Sequence, residues 1–207
     1  MTIDGDKEAL LRILARKSFG FRETRLSAGG SSDYYIDCRT TTLCAEGGRL
    51  TGVVILDLLR EKRLWPRAVG GLTLGADPVV CNVVAASAWE SHVSPATKPI
   101  DGFLVRKEQK AHGAGRRIEG FCEPGAPAVI VDDACTTGAS IIAAIHAAIE
   151  AGMQVIGVVC LVEREEANGR PAVEAAVLGA PFYSVFSAHQ VQAAHIELCG
   201  SGQRTFN

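Results

Sequence analysis

Two adjacent carboxylates, Asp132 and Asp133, are the first residues of this chain whose types and spacing suggest chemistry. They follow a β-branched run at residues 129–131, which predicts a buried strand. They precede a turn at residues 136–140, rich in Thr, Ser and Gly, and then apolar residues at helical spacing. Backbone N–H groups at a helix N-terminus favour an anion, whereas carboxylates favour hydroxyl groups or a cation. The pattern predicts a ligand that combines both, such as a ribose 5-phosphate.

Other phosphate-binding loops differ from this turn. No Lys follows Gly138, which excludes a Walker loop, and no Gly-x-Gly-x-x-Gly opens the helix. Two further interpretations stay open on these residues alone. One is an ordinary strand-to-helix turn with a Ser or Thr cap and two solvated acids. The other is a phospho-acceptor acid pair at a strand end.

A second stretch, residues 106–117, carries six basic groups and almost no apolar residue. With Gly113 and Gly115 inside it, the stretch predicts a mobile lid that becomes ordered when a polyanion such as pyrophosphate binds. A solvated basic loop is the alternative. Nucleic-acid binding by this loop is disfavoured because no aromatic residues are interleaved with the cations.

The composition limits the class of protein. A chain of 207 residues with 47% hydrophobic residues predicts one well-buried domain, and a net charge of −2 argues against a general nucleic-acid binder. The seven cysteines are odd in number and form no C-x-x-C pair, so reduced thiols in the cytoplasm are expected. No apolar run reaches the length of a membrane span, and the N-terminus lacks a secretory pattern. His189, His195 and Cys199 match no zinc spacing.

Helices and strands are predicted to alternate along the chain. The predicted helices cover residues 4–17, 46–61, 79–88 and 141–149 and a short segment near Val173. The predicted strands cover residues 68–70, 102–105, 129–131, 155–162 and 182–186, with a hairpin-like unit at 19–26 and 34–37. This alternation predicts an α/β fold with a parallel twisted sheet, helices on both faces and a ligand at the C-terminal strand ends. We expect a single domain over residues 1–207, with a small N-terminal hood lobe (1–45) and a core (46–190).

Several stretches resemble a known enzyme family. Residues 131–140, Val-Asp-Asp-Ala-Cys-Thr-Thr-Gly-Ala-Ser, resemble the phosphoribosyl pyrophosphate (PRPP) motif of type I phosphoribosyltransferases. Residues 103–113, Phe-Leu-Val-Arg-Lys-Glu-x-Lys-x-His-Gly, resemble the catalytic loop of the orotate phosphoribosyltransferase family. Residues 31–37, 70–78 and 162–166 resemble that family's substrate strand, pyrophosphate-side turn and base-side segment, in the family's order. The resemblance implies the type I phosphoribosyltransferase fold.

The resemblance also implies a reaction: transfer of the 5-phosphoribosyl group from PRPP to orotate, giving orotidine 5′-monophosphate and pyrophosphate in de novo pyrimidine (UMP) biosynthesis. It implies Mg²⁺ held mainly by PRPP, and a homodimer whose lid reaches the neighbouring site. The implied catalytic residues are Lys110, His112, Asp132 and Asp133. The implied PRPP-binding residues are these four with Arg106, Lys107, Ala134, Cys135, Thr136, Thr137, Gly138, Ala139 and Ser140. The implied orotate-binding residues are Tyr35, Ile36, Thr136 and Arg164.

Two departures and two rival functions remain. Many members of the family have Lys where this chain has Ser27, and some have a second Lys where it has Leu74. A phosphoribosyltransferase for another base is the first rival. Arg164 argues against it because a planar guanidinium binds a carboxylate such as that of orotate through two hydrogen bonds. A PRPP-sensing regulator is the second rival, but it would not need Lys110 and His112. No nucleic acid or membrane partner is expected.

Overall fold

The structure is a computed structural model that describes residues 3–25, 31–94, 96–107, 117–177 and 179–200. Ser27, Lys110, His112 and most of the predicted lid lie outside the described residues. The helices are α1 (Ile3–Lys17), α2 (Arg39–Thr42), α3 (Ala45–Glu61), α4 (Ala76–Val93), α5 (Ala139–Glu150), α6 (Arg170–Ala176) and α7 (Ala188–Gly200). The strands are β1 (Phe19–Arg25), β2 (Ser31–Ile36), β3 (Ala68–Leu72), β4 (Asp101–Val105), β5 (Ile118–Gly120), β6 (Pro127–Cys135), β7 (Gln154–Glu163) and β8 (Phe182–Ser187).

A six-stranded sheet in the order β5-β4-β3-β6-β7-β8 forms the centre of the fold. All neighbouring strands are parallel except β5, which runs antiparallel to β4 at one edge. The parallel register brings the C-terminal ends of β3, β4, β6 and β7 to the same edge of the sheet. The predicted α/β fold is therefore confirmed, with one antiparallel strand that the sequence did not predict.

Helices cover both faces of the sheet. Val129 and Val131 of β6 belong to a core formed with α1, α3 and α4, whereas Ile130 belongs to a second core formed with α5. Because successive side chains of a strand point to opposite faces, both faces need apolar residues. This explains why β6 begins as a continuous apolar run rather than an alternating one.

The N-terminal hairpin forms a separate two-stranded antiparallel sheet, β1-β2. The ring of Phe19 in β1 stacks on the ring of Tyr34 in β2, with 5.4 Å between centroids. The buried side chain of His195 in α7 packs against Phe19, and its Nδ1 lies 2.7 Å from the carbonyl oxygen of Ala15. His195 therefore has a structural role here. The division into hood lobe and core stays a prediction.

The structure corrects several predicted boundaries. Strand β6 continues to Cys135, so Asp132 and Asp133 are among its last four residues and do not follow its end. Helix α4 begins at Ala76, three residues earlier than predicted, and ends at Val93. Helices α2 and α7 and strand β5 were not predicted. Among the described residues, no helix is long and apolar enough to span a membrane.

Candidate active site

The acid pair lies at the C-terminal end of the central strand. Asp132 is buried, and one of its carboxylate oxygens accepts a hydrogen bond from the backbone N–H of Asp133 at 3.0 Å. Burial, and then the charge of Asp133, raises the pKa of Asp132 well above its ordinary value. Burial also raises the pKa of Asp133, although the N–H of Ala134, Asp132 and the charge of Arg39 act in the opposite direction. Both carboxylates therefore lie in surroundings that disfavour their charged forms.

The turn after β6 is shaped by close backbone packing. Gly138 has a left-handed φ of +79° and precedes α5, whose Ile142 N–H donates to the Gly138 carbonyl at 2.8 Å. A Cβ atom at Gly138 would lie 2.5 Å from a methyl group of Val173. A Cβ at Gly169, just before α6, would clash with the Thr136 carbonyl oxygen and lie 2.8 Å from the nitrogen of Gly138. The loop between β7 and α6, called the base-side loop below, thus packs directly on the turn.

The turn after β3 approaches the acid pair from the other side. A Cβ at Gly75 would lie 2.5 Å from a carboxylate oxygen of Asp133 and 3.3 Å from one of Asp132. The peptide bond between Thr73 and Leu74 is cis, and the side chain of Leu74 is exposed. This turn corresponds to the predicted pyrophosphate-side turn. Only glycine at position 75 allows such a close approach to the carboxylates.

The described part of the predicted lid begins at the end of β4. Arg106 donates from Nε to Glu119 of β5 at 2.8 Å, and its backbone N–H donates to the carbonyl of Arg117 at 2.9 Å. Lys107 is exposed. The edge strand β5 therefore holds the two ends of the lid together beside the site. The roles of Lys110 and His112 stay predictions because both residues lie outside the described part of the chain.

On the base side, Arg164 follows β7 and is buried, with 7% of its surface exposed. Its backbone N–H donates to the carbonyl of Cys135 at 2.8 Å, which joins it to the end of β6 next to Thr136. Its Nε donates to Glu166 at 2.9 Å, and its guanidinium carbon lies 4.5 Å from the ring centroid of Tyr34. Arg164 thus belongs to a packed segment and not to a solvated loop.

The hairpin places its two tyrosines differently. Tyr34 is buried against Arg164, whereas Tyr35 on the opposite face of β2 is 41% exposed, and Ile36 is half-buried. Close by, Arg39 forms a two-point ion pair with Asp37, with both N–O distances 2.9 Å. The sequence analysis named Tyr35 and Ile36 but gave no role to Tyr34 or Arg39.

A second ion pair supports the base-side loop. The buried carboxylate of Glu163 accepts two hydrogen bonds from Arg170, one of them from Nε at 2.8 Å. Arg170 also donates to the carbonyl of Phe182 at 3.1 Å and lies over its ring. The loop between Glu163 and Arg170 carries both Arg164 and Gly169. The pair therefore fixes the segment that packs on the turn at residues 136–140.

Sequence reasoning missed Tyr34, Arg39, Glu163, Glu166 and Arg170. An available signal was the charge pattern at residues 163–166, Glu-Arg-Glu-Glu, because a buried Arg requires a nearby acid. The side chain of Cys135 is buried. All seven cysteines are free thiols.

Asp132 and Asp133 are the described side chains at this edge of the sheet that suit a metal ion. Carboxylate oxygens such as those of Asp132 and Asp133 are the ligands that Mg²⁺ prefers. No group of three or more His, Cys, Asp or Glu side chains within the described ranges is arranged to hold a metal. The acid pair therefore fits a cation that brings most of its own ligands.

Comparisons with known proteins follow the same pattern. The family model "Phosphoribosyl transferase domain" matches residues 121–186. The orotate phosphoribosyltransferase of Aquifex aeolicus is 38% identical over 90% of this chain and 97% of its own length, and that of Corynebacterium glutamicum is 44% identical over 79% and 81%. A crystal structure of the Mycobacterium tuberculosis enzyme in complex with PRPP is 30% identical, with a TM-score of 0.70 over 90% of this chain and 92% of that one.

The parallel sheet, the acid pair on its central strand and the amide-rich turn after it define a phosphoribosyltransferase. The base-side segment, and the similarity to orotate phosphoribosyltransferases along most of the chain, identify the family within this class. The chain belongs to the orotate phosphoribosyltransferase family.

Proposed function

We propose that this site carries out the reaction of its family, the transfer of the 5-phosphoribosyl group from PRPP to orotate. The observation that carries the proposal is the hydrogen bond from Arg164 N–H to the Cys135 carbonyl. That bond joins the backbone of Arg164 to the strand end beside the turn that suits the 5-phosphate, and the buried guanidinium of Arg164 suits the carboxylate of orotate. One site can thus hold the base and the sugar phosphate on adjacent strand ends.

Different groups of described residues bind the different parts of PRPP and orotate. The N–H groups and hydroxyls of the turn from Thr136 to Ser140 bind the 5-phosphate. Asp132 and Asp133 accept hydrogen bonds from the ribose hydroxyls, which offsets part of the effect of burial that raises both pKa values. Thr136 and Arg164 bind orotate, with Tyr35 and Ile36 beside the ring.

The reaction itself is a displacement at the anomeric carbon. A ring nitrogen of orotate forms the new bond with inversion, while the bond to the pyrophosphate oxygen breaks and its electron pair leaves with pyrophosphate. Arg106, Lys107, Lys110 and His112 stabilise the negative charge of the leaving group, and Lys110 and His112 supply a proton to it. If Mg²⁺ is held mainly by PRPP, as expected, it would supply part of the positive charge that this leaving group needs.

We further propose a homodimer in which the lid reaches the neighbouring site. Helix α4 supports it, because its solvent side carries apolar residues that a lone subunit would leave exposed. Trp89 and Val93 are 69% and 67% exposed, and the exposed residues Ala85 and Cys81 lie one and two turns before Trp89 on the same side. A contiguous apolar surface of this kind marks a contact between proteins. The free thiols support the expected cytoplasmic location.

The first test is an absorbance assay with orotate, PRPP and Mg²⁺, repeated with uracil, adenine and hypoxanthine. We expect only orotate to be consumed. Lys110→Ala should lower turnover by about 100-fold or more, because general acids contribute at least that factor, without changing the melting temperature. Lys98→Ala, an exposed lysine at the other end of the sheet, is the control. Near-normal turnover in Lys110→Ala would remove the lid from the mechanism.

Mixing two inactive variants tests the dimer and the lid together. In a mixed dimer of Lys110→Ala and Arg164→Ala subunits, a lid acting on the neighbouring subunit leaves one site intact. Random exchange of subunits then restores about a quarter of the wild-type sites. A lid acting on its own subunit restores none. No recovery in mixtures that sedimentation shows to be mixed dimers would contradict the proposed arrangement.

A further inference from the structure

Glu166 connects the base-side loop to the N-terminal hairpin. One of its carboxylate oxygens, Oε1, accepts hydrogen bonds both from Nε of Arg164, at 2.9 Å, and from the hydroxyl of Tyr34. Tyr34 and Glu166 lie 132 positions apart in the chain. The same tyrosine ring lies against the face of the Arg164 guanidinium, 4.5 Å from its carbon. Arg164 is therefore held by two residues in two different ways.

The two contacts fix different degrees of freedom of the guanidinium. Contact with an aromatic face sets the plane of the group. A hydrogen bond at Nε sets its rotation within that plane, and so determines where the two terminal nitrogens point. A carboxylate is bound best when it meets two parallel N–H groups, which requires both the plane and the rotation to be correct. Holding a guanidinium in advance reduces the entropy lost when the ligand binds.

The ionisation states agree with this geometry. Burial, and then the hydrogen bond to Glu166, raises the pKa of Tyr34 to about 12, so at neutral pH its hydroxyl is a proton donor. Burial tends to raise the pKa of Glu166, but the Tyr34 hydroxyl, its own backbone N–H and Arg164 outweigh it and lower the pKa. Glu166 is thus a charged acceptor, and Arg164 and Tyr34 are its donors.

We propose that Glu166 and Tyr34 are positioning residues that orient Arg164 for the carboxylate of the pyrimidine base, and so set the preference for a carboxylated base. The inference rests on the proposed function, in which Arg164 binds that carboxylate. The contrary reading makes Glu166 a competitor that occupies the carboxylate site until the substrate displaces it. The geometry favours positioning because Glu166 bonds Arg164 at Nε and shares that oxygen with Tyr34.

Two nucleotides that differ only in the carboxylate provide the test. Orotidine 5′-monophosphate carries it and UMP does not, so isothermal titration of both with the full-length protein isolates its contribution. In Glu166→Ala we expect the dissociation constant for orotidine 5′-monophosphate to rise roughly tenfold, as for loss of a hydrogen bond to a charged group. That for UMP should not change. Glu166→Gln keeps a neutral acceptor and should recover part of the loss.

Two further variants complete the design. Tyr34→Phe keeps the ring but removes the hydroxyl, so it should weaken orotidine 5′-monophosphate less than Glu166→Ala, and the double variant should be no worse than Glu166→Ala alone. Glu165→Ala is the matched control. Among the described contacts, the carboxylate of Glu165 contacts only the exposed His189, at 2.9 Å. In turnover, Glu166→Ala should raise KM for orotate while kcat and KM for PRPP stay near wild type.

The outcomes separate the possible failures. Tighter binding of orotidine 5′-monophosphate by Glu166→Ala would show a competing carboxylate and overturn the proposal. If Glu166→Ala bound both nucleotides more weakly by the same factor, or bound both as the wild type does, the proposal would also be overturned. Neither result would show an effect on binding of the carboxylate. If Arg164→Ala binds both nucleotides as the wild type does, or the wild type leaves orotate unconsumed, the proposed function itself fails. Melting temperatures identify any variant that is merely unfolded.

Discussion

The end of β6 with its turn (residues 132–140) and the base-side loop (residues 163–170) pack against each other, but their buried charges differ. The first region contains two neighbouring acids, and the second contains ion pairs. At the turn, Asp132 and Asp133 lie together, and burial raises the pKa of both. In the base-side loop each buried charge has an opposite partner, Arg164 with Glu166 and Glu163 with Arg170. The unbalanced charges are those that the proposed ligand satisfies. The balanced charges hold the loop in place.

The difference distinguishes the acid pair, whose burial disfavours its charge until a ligand binds, from the ion pairs that hold the base-side loop. Arg164 belongs to one of these ion pairs and, in the proposed function, also binds the ligand. Buried charge left unbalanced destabilises the unliganded fold, so its presence indicates a function. Buried charge that is paired stabilises one arrangement over others once both partners are present. Neutralising a charge should therefore have opposite effects in the two regions, and disturbing the contact between them should affect both.

Gly169→Ala tests the contact between the regions and should have the largest effect. The added Cβ would clash with the Thr136 carbonyl oxygen and lie 2.7 Å from the carbonyl carbon of Thr137. All the nearby atoms belong to the backbone, so the turn or α6 must move. We expect about 3 kcal/mol of lost stability from overpacking and a fall in kcat/KM of about 100-fold from displacement of the turn.

Denaturant unfolding and steady-state kinetics measure the two effects of this variant. Gly200→Ala is the control, because a Cβ there meets no atom within 4 Å. If Gly169→Ala kept wild-type stability and activity, the turn and the base-side loop would not be coupled as the structure indicates.

Much of this architecture was predictable because its signals are local. Strand β6, the turn and α5 form one continuous stretch whose apolar spacing and turn residues specify their own geometry. Strand β5 has three residues and depends on pairing with β4 and on the burial of Ile118, so its own sequence carries little signal. Helix α7 was missed because its apolar residues are sparse and its burial depends on packing against α1.

Arg170→Ala, second in expected size, removes the partner of a buried acid. Glu163, with 5% of its surface exposed, would lose both hydrogen bonds from the guanidinium. Breaking a buried pair is strongly destabilising, but Arg170 is partly exposed and water can replace it in part, so we expect a loss of about 2 kcal/mol. Chemical denaturation measures it. Arg12→Ala, from the exposed pair with Glu8, should change stability by less than about 0.5 kcal/mol.

The base-side site was less predictable than the turn because its contacts join distant segments. Tyr34 meets Glu166 across 132 positions, and nothing local distinguishes Tyr34 from Tyr35 as the residue that faces Arg164. Alternation along a strand states that one of two neighbours faces inward, but not which one. The choice depends on how the hairpin packs on the core, through Phe19 and His195.

Asp132→Asn should have the smallest effect and the opposite sign, a gain of about 1 kcal/mol at neutral pH, because an amide removes a buried and repelled charge. The pKa of Asp132 is raised in the folded state. The unfolded chain therefore loses its proton first as the pH rises, and the penalty develops above about pH 4. The gain should be absent at pH 4 and present at pH 8, while turnover of orotate falls.

Glu163→Gln is the matched comparison for this last variant, since it makes the same carboxylate-to-amide change at the end of the adjacent strand. There the lost charge is the partner of Arg170, so the variant should be less stable than the wild type at neutral pH. Thermal unfolding of both variants at the two pH values measures the signs directly. Destabilisation by both changes would mean that Asp132 supports the fold, and that the contrast between the turn and the base-side loop is not one of charge balance.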